Sequence, residues 1–202
     1  MDPDAYLCQL AEIFNGISVN TPSLSAIIAI ILAGLLLLAS GFASASEIAF
    51  FSLSPSDLND IEEGNHPSDG KISNLLADSE RLLATILITN NFVNVTIIML
   101  CNFFFMNVFV FHSPLAEFLI LTVILTFLLL LFGEIMPKIY SAQKTLAFCR
   151  FSAPVIYVLR KVFAPISAVL VHSTAFLNKH FAKKNHNISV DELSHALSLI
   201  HI

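Results

Sequence analysis

Charge vanishes from long stretches of this chain and returns in short bursts. No charged residue stands between Glu12 and Glu47, between Arg81 and Glu117, or between Glu117 and Glu134. A helix that crosses a bilayer needs about 20 predominantly apolar residues, and three runs of that kind fit, roughly 24–50, 83–109 and 115–136. Polar signals between the first two runs predict two short helices. Ser54-Pro55-Ser56-Asp57 reads as an N-cap with proline at the first helical position, and Gly64 reads as a stop. A second short helix is expected over 71–77, after which Asp78 caps the start of the second run.

Beyond the third run the pattern changes. The stretch 146–177 is apolar, yet Arg150, Arg160 and Lys161 interrupt it and Pro154 and Pro165 break it. A fourth crossing would carry Lys179, Lys183 and Lys184 outward, so an amphipathic helix lying along the cytoplasmic membrane surface is the expectation. Its bases would then meet anionic lipid. Ser189-Val190-Asp191-Glu192 is a capping box that opens a last helix, which reaches Ile202 with no stop signal. A linker over 186–202 leading to a further cytoplasmic domain is expected.

Composition agrees with the pattern. Hydrophobic residues make up 56% of the 202 and charged residues 12%, and the mean hydropathy is +0.79. These values are far from those of a soluble domain. The predicted class is an all-α membrane protein with three transmembrane helices, short cytoplasmic helices and a juxtamembrane belt, over 1–185. Ala43-Ser44-Ala45 resembles a signal-peptidase site, but the preceding segment has only Asp2, Asp4 and Glu12 as charges and no basic start, so the first run is expected to be retained. Cys8, Cys101 and Cys149 are odd in number and far apart, which argues against a disulfide framework or zinc site.

Orientation follows from the bases. The first 23 residues carry no Lys or Arg, the turn His112-Ser113-Pro114 carries none, and the region from Lys138 to Lys184 carries eight. The positive-inside rule puts the N-terminus outside and the C-terminal region in the cytoplasm of a multi-pass protein of the inner (plasma) membrane. A net charge of −5 without a basic patch excludes nucleic acid as a partner. No HExxH, nucleophile elbow, GxGxxG or P-loop is present, so the chain is not expected to be an enzyme.

Polar groups inside the spans carry the chemistry. Ser40, Ser44 and Glu47 share one helical stripe with Ser46 beside it, and Asn90, Asn91 and Asn94 fall within little more than one turn. Gly133, Glu134 and Pro137 close the third run. In an α-helix a proline at 137 leaves the carbonyl of Gly133, four residues back, without its partner. A freed carbonyl beside a carboxylate at membrane depth suits a dehydrating cation. Hydroxyl, amide, carbonyl and carboxylate oxygens favour magnesium, sodium or calcium over zinc or copper. A plain ion pair between Glu134 and Lys138, one turn on, is the competing reading, as are helix-gluing roles for the serines and asparagines.

At these residues a resemblance takes hold. Ser44-Ala45-Ser46-Glu47-Ile48-Ala49-Phe50-Phe51, Asn90-Asn91-Phe92-Val93-Asn94 and Gly133-Glu134-Ile135-Met136-Pro137-Lys138 resemble, in order, three signature segments of the cyclin M / CorC transmembrane domain. The segment Ile188-Ser189-Val190-Asp191-Glu192-Leu193 is similar to the entry to its CBS-domain pair. The bacterial members associated with gliding motility are one subgroup that fits. The resemblance implies a homodimer that exports Mg2+, coupled to Na+ entry. It also implies a ligand set of Ser44, Asn91, the Gly133 carbonyl and Glu134, with Ser40, Ser46 and Asn90 as second choices and Pro137, Lys138 and Glu47 in support. Na+ alone as the bound ion is a close variant. The alternative from another class is a non-transporting membrane scaffold or sensor for a secretion or motility apparatus.

Overall fold

The computed structural model describes residues 18–110 and 114–173. The expected linker over 186–202, with its capping box, lies outside the described residues, as do Cys8, His112 and His180.

Three helices are long and apolar enough to cross a membrane. The first, α1 (Leu24–Phe51), starts where Ser23 accepts from the Ala26 N–H at 3.3 Å. It runs unbroken through the Ala43-Ser44-Ala45 stretch. Two eight-residue helices follow, α2 (Pro55–Glu62) and α3 (Asp69–Leu76). Ser54 and Asp57 close a reciprocal capping box on α2, and Gly64 ends the hairpin's first arm at φ 69°, a conformation that costs glycine nothing. The second span is α4 (Ser79–Val108), opened by the Asp78 carboxylate accepting from the Arg81 N–H. A two-residue antiparallel bridge, β1 (Ser18–Val19) with β2 (Phe109–Val110), ties the approach to α1 to the far end of α4.

The third span, Glu117–Gln143, is composite. It begins in α5 (Pro114–Leu128), loosens into a π-helical stretch over Leu129–Ile135, and resumes as α6 (Met136–Gln143). The helix therefore continues seven residues past the expected limit at 136. The reason is the change of register. Met136 donates to the Leu131 carbonyl, five residues back, and Pro137 then sits in the first turn of α6, where a donor is not needed.

After Gln143 the chain turns into α7 (Thr145–Val162) and, through a 79° bend, α8 (Ala164–Ser173). Pro154 lies inside α7 without breaking it. The main apolar core sits at one end of the spans, where Ala49 and Phe50 of α1 meet Ile61, Ile72 and Leu75 of the hairpin. Leu82 and Ile86 of α4 and Cys149, Ala153 and Ile156 of α7 complete it. A second, smaller cluster packs Ala33 against Val93, Ile97, Cys101 and Leu125 along the spans.

The expected belt is this bent pair, which by length and composition would also serve as a broken fourth span, and its bases have protein partners. Arg150 grips Asp69 with two nitrogens, at 2.8 and 3.1 Å, and Asp69 is fully buried. Arg160 donates to the Asn74 carbonyl at 3.1 Å, and Lys161 lies 4.8 Å from the Tyr157 ring centre. Burial alone would push the Asp69 carboxyl up. The Arg150 hydrogen bonds, the His66 N–H and the nearby positive charges outweigh it and hold the group below its ordinary value of 3.8.

Candidate cation site

The polar constellations of the three spans meet. Ser40 sits on the stripe of α1 that faces α4, fully buried, and its hydroxyl points at two amide oxygens, Oδ1 of Asn90 at 2.9 Å and Oδ1 of Asn94 at 2.6 Å. Ser44, one turn on and equally buried, reaches the Asn90 oxygen at 3.5 Å. Ser40, Ser44, Asn90 and Asn94 thus gather hydroxyl and amide oxygens at one point between α1 and α4. Hard oxygen donors of this kind suit magnesium, sodium or calcium.

Glycine brings the third span to the same point. A Cβ on Gly133 would stand 3.1 Å from Ser40 Oγ, a tight contact that the glycine avoids as the π-helical stretch approaches the hydroxyl. One turn along, a Cβ on Gly41 would stand 2.9 Å from Pro137 Cγ and 3.3 Å from the Phe132 carbonyl oxygen. In the i→i−5 register that Met136 follows, the donor missing at Pro137 falls to Phe132. In an i→i−4 register it falls to Gly133. The proline thus interrupts the backbone ladder beside both carbonyls, at the seam between spans one and three.

Glu134 stands next to Gly133 in the chain, and its carboxylate is engaged by Lys138, Nζ to Oε1 at 3.3 Å. The same ammonium reaches Oε2 of Glu47 at 3.2 Å. Lys138 therefore bridges spans one and three through two carboxylates, not one. Below it Ser141, fully buried, donates to the Ala45 carbonyl at 2.7 Å and closes the seam.

The remaining expected residues fall elsewhere. Ser46 is buried but returns its proton to the Phe42 carbonyl of its own helix at 2.7 Å. Asn91 is exposed on α4. Three contacts join the expected ones: Asn94 to Ser40, Ser141 to the Ala45 carbonyl, and Lys138 to Glu47. The signal for Asn94 was present, because Asn90 and Asn94 are four apart and so share a helix face, whereas Asn91 does not.

A model of the cyclin M transmembrane N-terminal domain matches residues 30–201, which span all three converging segments. The chain belongs to the cyclin M transmembrane-domain family. A "UPF0053 protein" of Haemophilus influenzae is 32% identical over 130 residues, covering 64% of this chain and 30% of that protein. The matched stretch thus spans under a third of that relative's length. Cyclin M domains are associated with magnesium transport and are generally transporters, not enzymes. In this cyclin M domain the Ser, Asn and Gly-Glu segments, distant in sequence, form one oxygen-rich seam in a multi-pass membrane protein.

Proposed function

We propose that this cyclin M domain moves Mg2+ out of the cell as its transported substrate, coupled to Na+ entry. It works as a homodimer of the inner membrane with the N-terminus outside. The observation that carries the reading is the cluster of Ser40, Ser44, Asn90 and Asn94 against Gly133, which gathers four polar side-chain oxygens beside the backbone of the third span. Magnesium takes oxygen ligands, dehydrates reluctantly and keeps several waters beside one or two carboxylates. Ser40, Ser44, Asn90 and Asn94 would supply neutral oxygens, the Gly133 backbone a carbonyl, and Glu134 the charge. Sodium accepts the same donors, which makes exchange of the two ions at one place chemically reasonable.

Glu134→Gln tests this. The amide keeps the shape and removes the charge, so magnesium binding, read by isothermal titration, and magnesium flux from proteoliposomes should both disappear while the fold remains. Running the flux with and without a sodium gradient tests coupling. An unchanged magnesium response in the variant overturns the assignment, and absence of flux in the unaltered protein favours the scaffold alternative.

A further inference from the structure

We infer that Lys138 is a built-in rival of the transported cation: its ammonium is handed from Glu134 to Glu47 alone when the ion arrives, and back when the ion leaves. The inference rests on the proposed cation site and adds the device that makes binding there reversible. Its basis is the geometry of the bridge. Lys138 Nζ lies 3.2 Å from Glu47 Oε2 and 3.3 Å from Glu134 Oε1, so one positive charge is shared between two carboxylates on different spans.

The two carboxylates are not equivalent. The Glu47 side chain is 26% exposed and the Glu134 side chain 44%. Within the folded chain Glu47 is the more tightly packed partner of the ammonium and Glu134 the less packed. Glu134 also belongs to the π-helical stretch that abuts Ser40, whereas Glu47 lies nearly two turns beyond Ser40 on α1. On the proposed ligand set only Glu134 binds the ion, and Glu47 is the resting place for the displaced lysine. Without Glu47 the ammonium would have nowhere else to go, and it would hold Glu134 against any cation. Without Lys138 the carboxylate would be bare, and a divalent ion would bind tightly and leave slowly. A helix-stapling role predicts neither asymmetry.

Neighbouring substitutions should consequently act in opposite directions. The chain reconstituted in lipid nanodiscs is titrated with MgCl2 alone in sodium-free buffer, with dimer size and helical content followed in each sample. Lys138→Met should tighten magnesium binding and slow its release, and Glu47→Gln should weaken binding. Each change is expected to be about fivefold, the effect of an ion pair worth up to about 1 kcal/mol. Lys138→Arg keeps the charge and should restore affinity near that of the unaltered protein. If Lys138→Met and Glu47→Gln both weaken binding, or neither changes it, the exchange is wrong and Lys138 is only a staple. If Lys138→Met does not fold, Glu47→Gln against Lys138→Arg decides it alone, because unchanged affinity in Glu47→Gln is then sufficient to overturn the inference. Absence of magnesium binding in the unaltered protein overturns the proposed function itself, a result distinct from either failure.

Discussion

Asn90 and Asn91 are neighbours with different surroundings. Asn90 and Asn94 turn toward Ser40, whereas Asn91 is exposed. Asn94→Ala should lower magnesium affinity by about 10- to 100-fold, since a bond to a charged group is worth about 1.5–3 kcal/mol. Asn91→Ala should leave affinity within about twofold, well inside the spread of a neutral exposed substitution. Isothermal titration of both variants side by side checks the pair. Glycine at 41 gives a second contrast. Its added methyl would stand 2.9 Å from Pro137 Cγ, so Gly41→Ala should cost about 1–3 kcal/mol by overpacking, whereas Gly34→Ala meets open space and should be tolerated. Thermal unfolding in nanodiscs reads both. At this scale part of the oxygen cluster was legible, because helical period places Ser40 with Ser44 on one face, but the expected set put Asn91 ahead of Asn90 and left out Asn94. The reach of Lys138 to Glu47 was not legible, since it depends on the register of a π-helical stretch that no local residue pattern announces.

Between residues and the whole lie the helices, whose boundaries the caps give away. Ser54 with Asp57, Gly64 and Asp78 end up where their chemistry requires, and the hairpin forms as two arms of eight residues. The third span is where a local rule misled. Proline was expected to end it, but a wider turn before Pro137 moves the missing donor into a helix start, and the span continues to Gln143. Pro137→Ala supplies the absent N–H and would gain about 3 kcal/mol of helix propensity if position 137 were a helix interior. It also removes the ring that abuts Gly41. The π-helical stretch should anneal toward α geometry, turning Glu134 out of register with Ser40. Flux is expected to fall while thermal stability holds or rises, and wild-type flux would mean that the seam tolerates either register.

For the molecule as a whole, the strongest polar tie lies outside the spans. Asp69 is fully buried against an Arg150 that keeps 23% of its side chain exposed, so removing either partner should hurt unequally. Arg150→Ala leaves the enclosed carboxylate with only the His66 N–H and should cost more, whereas in Asp69→Ala the partly exposed arginine can turn to water and the loss should be smaller. Equilibrium unfolding in urea orders the two. Acid gives an independent check. Hydrogen bonds from Ser54 hold Asp57 below its usual value, and Arg150 does the same for Asp69. The stability from both is present above about pH 3.8 and is lost as pH falls through their lower folded values. In Arg150→Ala the largest influence lowering Asp69 is gone and only the His66 N–H and nearby charge still oppose burial, so that variant should lose less stability to acid than the unaltered protein. Circular dichroism across pH 3–7 shows whether it does.

Orientation is tested by cysteine labelling. A cysteine at Asn20 should react from outside, and one at Asn65 only after permeabilisation. None of this tertiary wiring was legible in the sequence. Arg150 read as a base interrupting an apolar stretch, and its partner lies 81 residues earlier in the chain. That separation has a consequence for synthesis. The apolar side of the hairpin, with Ile61, Ile72 and Leu75, is made well before the α7 residues that cover it. At 5–20 residues per second, ribosomes leave Asp69 waiting about 4–16 s for Arg150. During that interval the second and third spans are made while the greasy, acidic hairpin has no lid, the kind of surface to which a chaperone binds. Protease protection of the hairpin should accordingly appear only in ribosome-arrested chains long enough to have released Ile156, and protection of shorter chains would show that the hairpin closes without α7.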